Sequence, residues 1–110
     1  MGLLDSSDDQ IKETPAYKRA VEAVDLLGTE VADFKKEGGA ESRLQYLSDA
    51  ILRLFRACDK GAAEHPNLKE WQSMRDEGMD VAKAACEKFP GHAKLGKLQQ
   101  FVDDPDKRHP

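Results

Sequence analysis

Apolar residues in this chain recur at intervals of three and four positions, and this spacing constrains the fold more than any other feature. Residues at these intervals lie on one face of an α-helix. No segment alternates β-branched with polar residues over five or six positions, as a half-buried strand would. The clearest stripe comprises Tyr17, Ala20, Val21, Val24, Leu27, Gly28, Val31 and Phe34. We therefore predict an all-α protein.

Capping residues and glycines set the bounds of the first two predicted helices. The first begins at Thr14 and Pro15, a side-chain cap followed by a proline that fits the first helical turn, and ends at Gly38. The second begins at about Ser42 and ends at Gly61.

Two further helices complete the prediction. The third begins after Asn67, which forms a capping box with Glu70, and ends before Pro90. The fourth is shorter and covers residues 93 to 102. Short linkers make neighbouring helices antiparallel, so we expect an up-down-up antiparallel bundle of three main helices plus a short C-terminal fourth helix.

The chain is predicted to hold one domain. Residues 14–102 form the helical bundle, residues 1–13 a flexible acidic N-terminal segment, and residues 103–110 a flexible tail without apolar residues to anchor it. Trp71 begins the apolar stripe of the third helix, so we expect it to be buried against the first two. Leu26 and Met79 lie outside the stripes and are predicted to be partly exposed.

Charge and hydropathy exclude several classes of function. The net charge is −4, and the basic residues form no cluster along the sequence that would neutralise several phosphates, so we predict no nucleic-acid partner. No run of 18 apolar residues and no basic leader occurs, which predicts a cytoplasmic protein with no membrane partner. The opening MGLLDS fits the loose N-myristoylation pattern, but Asp8 and Asp9 follow it, and an anionic membrane would repel them.

No residue pattern predicts an enzyme, a metal site or a cofactor. The acidic residues fall on polar helix faces, and the histidines fall in turns or in the tail. Cys58 and Cys86 form no C-x-x-C motif and have no histidines at ligand spacing, so both are predicted to be buried free thiols.

The string GHAKLGKL, residues 91 to 98, resembles the phosphorylated segment of histidine phosphotransfer domains. In that family the histidine lies mid-helix in a helical bundle and precedes a Lys-Gly pair. Here Leu95 separates Lys94 from Gly96, and His92 lies at the start of its helix. The resemblance implies a phosphotransfer domain with His92 as the modified residue, and we keep it as the third hypothesis.

The second predicted helix is apolar nearly all round. Its polar strip is confined to Gln45, Asp49, Arg53, Arg56 and Lys60. A helix that avoids water on most sides has neighbours on more than two of them. We therefore expect this helix to be central, with its extra neighbour supplied by the fourth helix or by another chain.

We interpret the chain as a small non-catalytic module for protein–protein interaction or regulation, one that self-associates through the second helix or binds another protein. The residues predicted to bind the partner are Tyr46, Ala50, Leu52, Arg53 and Arg56. The alternative is an acidic inhibitor of the immunity type, which occupies a basic site on its target with the N-terminal segment and the start of the third helix.

Overall fold

The computed structural model of the protein describes residues 8–108. Five α-helices follow one another along the chain: α1 (Asp8–Lys12), α2 (Pro15–Lys36), α3 (Leu44–Glu64), α4 (Glu70–Lys88) and α5 (Gly96–Asp103). Short 3-10 helices at Glu41–Arg43 and Ala93–Leu95 lead into α3 and α5. No strand occurs between residues 8 and 108. The predicted all-α class is confirmed, and the four predicted helices correspond to α2, α3, α4 and α5.

The bounds of α2 agree with the sequence prediction. The Thr14 hydroxyl oxygen accepts a hydrogen bond from the Tyr17 amide at 3.3 Å, and Pro15 follows as the first helical residue. Beyond the C-terminus, Gly38 and Gly39 have φ angles of 73° and 72°. These angles lie in the left-handed region, which glycine adopts at little cost and which ends helices.

The predicted end of α3 at Gly61 is wrong. The helix continues to Glu64, and Gly61 is buried under the indole ring of Trp71. A Cβ atom at position 61 would overlap that ring. Gly61 therefore makes room for an aromatic side chain and does not end the helix. The start of α3 also moves, from Ser42 to Leu44, because residues 41–43 form a 3-10 turn.

The predicted capping box at the start of α4 is also wrong. The helix begins at Glu70, and no side chain caps it. Leu68, which follows Asn67, is 3% exposed and belongs to the core. The Glu70 carboxylate pairs with the Lys12 ammonium at 2.8 Å and does not reach back to the backbone of Asn67.

α3 lies at the centre of the fold, as its sequence predicts. It contacts α2, α4, α5 and both 3-10 turns. Phe55 of α3 packs on Phe101 of α5, with ring centres 5.1 Å apart. The extra neighbour is therefore the C-terminal helix of the same chain. The buried apolar residues of α3 are Leu44, Leu47, Ala50, Ile51, Leu54, Phe55 and Cys58.

Trp71 is buried between α2 and α3, which confirms the prediction. Its ring packs edge-on against Tyr17 of α2, at 5.8 Å between ring centres, and covers Gly61 of α3. The indole N–H donates a hydrogen bond to the His65 carbonyl oxygen at 2.9 Å. A buried indole with its one donor satisfied stabilises the junction of three helices.

The partial exposure of Leu26 is confirmed, but the prediction for Met79 is wrong. Met79 is 6% exposed, and Arg75, one turn earlier, is 3% exposed. Met74, an apolar residue three positions after Trp71, is only partly buried. The buried face of α4 is thus rotated towards Arg75. The apolar pattern could not predict this rotation, because its cause is a charged residue in the core.

The N-terminal segment and the C-terminal tail contain structure that the sequence prediction missed. Ile11 of α1 is 3% exposed, and the carbonyl oxygens of Pro105 and Lys107 accept hydrogen bonds from Arg75. One buried isoleucine and two backbone carbonyls leave no periodic pattern to detect. Residues 1–7, with the pattern at Gly2, and residues 109–110 lie outside the described part of the chain.

Candidate partner-binding surface

The residues predicted to bind a partner all lie on α3, but they differ in accessibility. Tyr46 is 55% exposed, and Arg53 and Arg56 are also exposed. Leu52 is partly buried against the core. Ala50 is 2% exposed, so its methyl group lies inside the protein and offers no contact to a partner. We correct the predicted set accordingly and define the α3 surface as Tyr46, Arg53 and Arg56.

Tyr46 is held in place by an arginine of the preceding turn. The Arg43 guanidinium lies 4.5 Å from the centre of the tyrosine ring. Arg43 in turn pairs with Glu30 and Asp33 of α2 and with Glu37, just after α2, at 3.2, 3.4 and 3.2 Å. A cation over an exposed ring contributes about 0.5–1 kcal/mol. These contacts restrict the ring of Tyr46, and a side chain that is already restricted loses less entropy when it enters an interface.

A groove of about 320 Å³ between α2 and α3 adjoins the α3 surface. Arg53, Arg56 and Lys60 share one face of α3, because they are three and four residues apart. Ala57 contributes only a methyl group to the lining, which leaves the groove open. We call the lining residues the basic groove: Arg19, Glu22, Arg53, Arg56, Ala57 and Lys60.

The basic groove contains four cations and one carboxylate, in a chain whose net charge is −4. Within the described residues none of the four cations forms an ion pair. Like charges that converge in this way repel one another, and an anion between them relieves the repulsion. The electrostatics of the groove therefore favour an anionic partner.

The sequence pattern predicts only part of this groove. The spacing of Arg53 and Arg56 predicts that they lie together on α3, but it does not include Arg19. Nothing in the sequence relates position 19 to position 53, because the two meet only when α2 packs beside α3. Arg19 could be identified only by first assuming the helical bundle and then counting the charges on helix faces that pack side by side.

A second polar cluster, missed by the sequence analysis, is buried between α3 and α4. Nε of Arg75 donates to Oδ1 of Asp59 at 2.7 Å, and Nη2 donates to Oδ2 at 3.4 Å. The same guanidinium donates to the carbonyl oxygens of Lys107 at 2.6 Å and Pro105 at 3.4 Å. Arg75 thus joins α3, α4 and the C-terminal tail. Its donors are engaged within the chain, so we assign it a structural role.

The two thiols are free and buried, and the pKa of each is raised above its ordinary value. Burial raises the pKa of the Cys58 thiol to about 12, and the neighbouring Asp59 carboxylate adds to the effect. Burial also raises the pKa of the Cys86 thiol. The thiolate is the nucleophilic form of cysteine. Neither thiol is therefore prepared for covalent catalysis.

His92 acts as the cap of a 3-10 turn. Its Nδ1 accepts a hydrogen bond from the Lys94 amide at 3.0 Å, and its Nε2 lies 2.9 Å from a carboxylate oxygen of Glu41. Both ring nitrogens therefore have partners. Phosphotransfer needs a ring nitrogen that can accept a phosphoryl group, so this geometry does not favour the phosphotransfer hypothesis.

Residues 8–108 contain no group of three or more His, Cys, Asp or Glu side chains that could hold a metal ion. In the same part of the chain, none of the helices has the length and apolar character needed to span a bilayer.

No protein-family model, no curated protein and no solved structure matches this chain.

Proposed function

We propose that this protein is a non-catalytic helical module that binds an acidic segment of a protein partner through the α3 surface and the basic groove. The observation that supports this most is the convergence of four cations from two helices without an ion pair among the described residues. A bound acidic segment supplies the anions that the fold itself does not.

The residue types and their extent suit an extended peptide. Tyrosine and arginine are enriched in the energetically important centres of interfaces, and arginine binds carboxylates through two parallel hydrogen bonds. From Tyr46 to Lys60 the helix rises about 21 Å. An extended peptide of about six residues covers that length. We therefore expect a short acidic stretch as the bound element.

The groove depends on how the helices are arranged, and we infer the up-down-up order for α2, α3 and α4. Arg43, just before α3, pairs with Glu37, just after α2, at 3.2 Å. Phe34 and Phe89, at the ends of α2 and α4, lie 6.4 Å apart, which supports a parallel pair. We also propose a cytoplasmic location, because two free thiols suit a reducing compartment.

Self-association through α3 is less favourable than binding to a different protein. In a dimer whose two-fold axis passes through the α3 surface, Arg53 and Arg56 would lie near the same residues of the second copy. Contacts between like charges cost free energy. For the acidic-inhibitor alternative, the start of α4 offers little free charge, because Lys12 pairs with Glu70 at 2.8 Å.

Fluorescence anisotropy with a labelled peptide of eight glutamates tests the proposal. We expect saturable binding to the wild-type protein that weakens steeply as salt is raised from about 50 mM, because exposed charges are screened. The double variant Arg53→Glu/Arg56→Glu should lose this binding while it keeps the wild-type circular dichroism spectrum.

The matched control is Lys83→Glu/Lys94→Glu. Both lysines are exposed and lie outside the groove, and the control changes the net charge by the same amount as the test variant. Equal losses in the two double variants would show that only net charge matters, and this would contradict a localised site.

A further inference from the structure

A second groove, which plays no part in the proposed function, lies between α2 and α4. Its volume is about 440 Å³, and its lining is mostly apolar, with Val31, Phe34, Val81 and Ala84 among the contributing residues. We call it the α2–α4 groove. Val31, Phe34 and Val81 are only partly buried, although each has a large apolar side chain. Sites for small ligands are typically apolar clefts of this size with a few polar groups that orient the ligand.

One cation is held at an end of this groove by aromatic rings. Nζ of Lys88 lies 5.3 Å from the ring centre of Phe34 and 5.6 Å from that of Phe89. It also lies over Gly39, where a Cβ atom would overlap it. Among the described residues Lys88 forms no ion pair. The groove thus combines an apolar surface with a positioned ammonium group that has no carboxylate partner.

The other charged residues make one end of the groove positive and the other end negative. Lys35 lines the same groove and adds a second positive charge next to Phe34. Asp80 also lines it, but lies two helical turns before Lys88, about 12 Å along α4. A carboxylate there repels an anion. An anionic group is therefore stabilised at the lysine end and disfavoured at the Asp80 end.

We propose that the α2–α4 groove binds a small anionic amphiphile, an alkyl carboxylate of the fatty-acid type. Its carboxylate pairs with Lys88, and its alkyl chain covers Val31, Phe34 and Val81. The ligand removes partly exposed apolar surface from water. It also supplies a carboxylate partner for Lys88, which forms no ion pair among the described residues. The α3 surface takes no part, so this proposal stands or fails independently of the one above.

Isothermal titration calorimetry with octanoate, decanoate and dodecanoate, each below its micellar concentration, tests the apolar half of the proposal. Full burial of one methylene group strengthens binding about fourfold, so affinity should rise at least about tenfold across the series. An affinity independent of chain length would overturn the proposal, because carboxylate pairing alone gives that result. Absence of binding to the wild-type chain would overturn it as well.

Charge-reversed variants test the polar half. Lys88→Glu and, separately, Lys35→Glu should weaken dodecanoate binding, the first by about tenfold or more, equivalent to about 1.4 kcal/mol. Lys83→Glu, an exposed lysine of α4 outside the groove, is the control and should bind as the wild type does. If Lys88→Glu fails to fold, Lys35→Glu still decides. Equal affinity in a folded Lys88→Glu variant and the control would overturn the proposal.

Amide chemical shifts locate the ligand. Dodecanoate should shift the resonances of Val31, Phe34, Val81 and Ala84 first, and leave those of Arg53 and Arg56 unchanged. Shifts spread evenly over the spectrum would indicate detergent-like unfolding. Sedimentation equilibrium gives the last check. If a second copy of the chain filled the groove, the protein would sediment as a dimer, and dodecanoate would not dissociate it. Either result would contradict a specific fatty-acid site.

Discussion

Asp59 and Arg75 form an ion pair in the interior of the protein, with 2.7 Å between Oδ1 and Nε and with each side chain 4% exposed. The Arg75 guanidinium also lies 4.6 Å from the ring centre of Phe55 and 5.7 Å from that of Phe101. These contacts connect α3, α4 and α5 at one point. The orientation of α4, with Arg75 directed inward, follows from this pair.

Loss of one partner of this pair should destabilise the protein strongly. Arg75→Met leaves the Asp59 carboxylate buried without its main partner, and we expect the free energy of unfolding to fall by about 3–5 kcal/mol. The double variant Asp59→Leu/Arg75→Met removes both charges and should recover most of the loss. Urea denaturation measures both values.

Arg56→Met is the control for this experiment, because Arg56 is exposed, and its stability should stay within about 0.5 kcal/mol of the wild type. If the double variant proved no more stable than Arg75→Met, the buried charge of Asp59 would not be the cause of the loss.

Two of the helical glycines, Gly28 and Gly61, should respond in opposite directions to the same substitution. A Cβ atom at position 28 meets nothing within 4 Å, so Gly28→Ala should stabilise the helix by about 0.5–1 kcal/mol. At position 61 the new methyl group overlaps the Trp71 ring, and the overpacking should cost about 1–3 kcal/mol. Thermal unfolding of both variants measures the difference. A gain in stability from Gly61→Ala would contradict the close packing of Trp71 on α3.

These glycines show that features set by neighbouring residues can be predicted from the sequence, whereas features set by packing between helices cannot. The termini of α2 were predictable, because a capping threonine and two glycines act within a few residues of where they stand. The burial of Trp71 was predictable from its place in an apolar stripe. The function of Gly61 was not, because it depends on a ring ten residues further along the chain, on another helix.

The candidate surface shows the same limit. Arg53 and Arg56 were predictable from their spacing on one helix, whereas Arg19 joins them only through packing. Ala50 was predicted to bind a partner from its position on α3 alone, but it is buried, because α2 packs against that side of α3. The rotation of α4 that buries Arg75 was not predictable, because apolar periodicity assigns a charged residue to the exposed face of a helix.

The raised pKa of Cys58 predicts a loss of stability in alkaline solution. Below pH 9, the ordinary pKa, the thiol is protonated in both the folded and the unfolded chain, and its contribution is fully present. Between pH 9 and about 12 the unfolded chain loses the proton while the folded chain keeps it, so stability falls by about 1.4 kcal/mol per pH unit. Urea denaturation from pH 8 to 11 measures this fall.

Cys58→Ala lacks this titration. The variant should be less stable than the wild type at pH 8, because it leaves a cavity in the core. The gap should narrow as the pH rises above 9, the ordinary pKa of the thiol. Parallel curves for the two proteins would mean that the thiol ionises as easily in the folded state as in the unfolded state.

Quantitative capture of partners from an extract of the source organism tests the central claim most directly. Immobilised wild-type protein, the Arg53→Glu/Arg56→Glu variant and the Lys83→Glu/Lys94→Glu control are compared by mass spectrometry of the bound proteins. We predict a protein with an acidic segment that the wild type and the control retain equally, that the groove variant loses, and that binds the purified wild-type chain directly. Binding through the basic groove would be contradicted if all three proteins retained the partner equally. It would also be contradicted if only the Lys83→Glu/Lys94→Glu control failed to retain the partner.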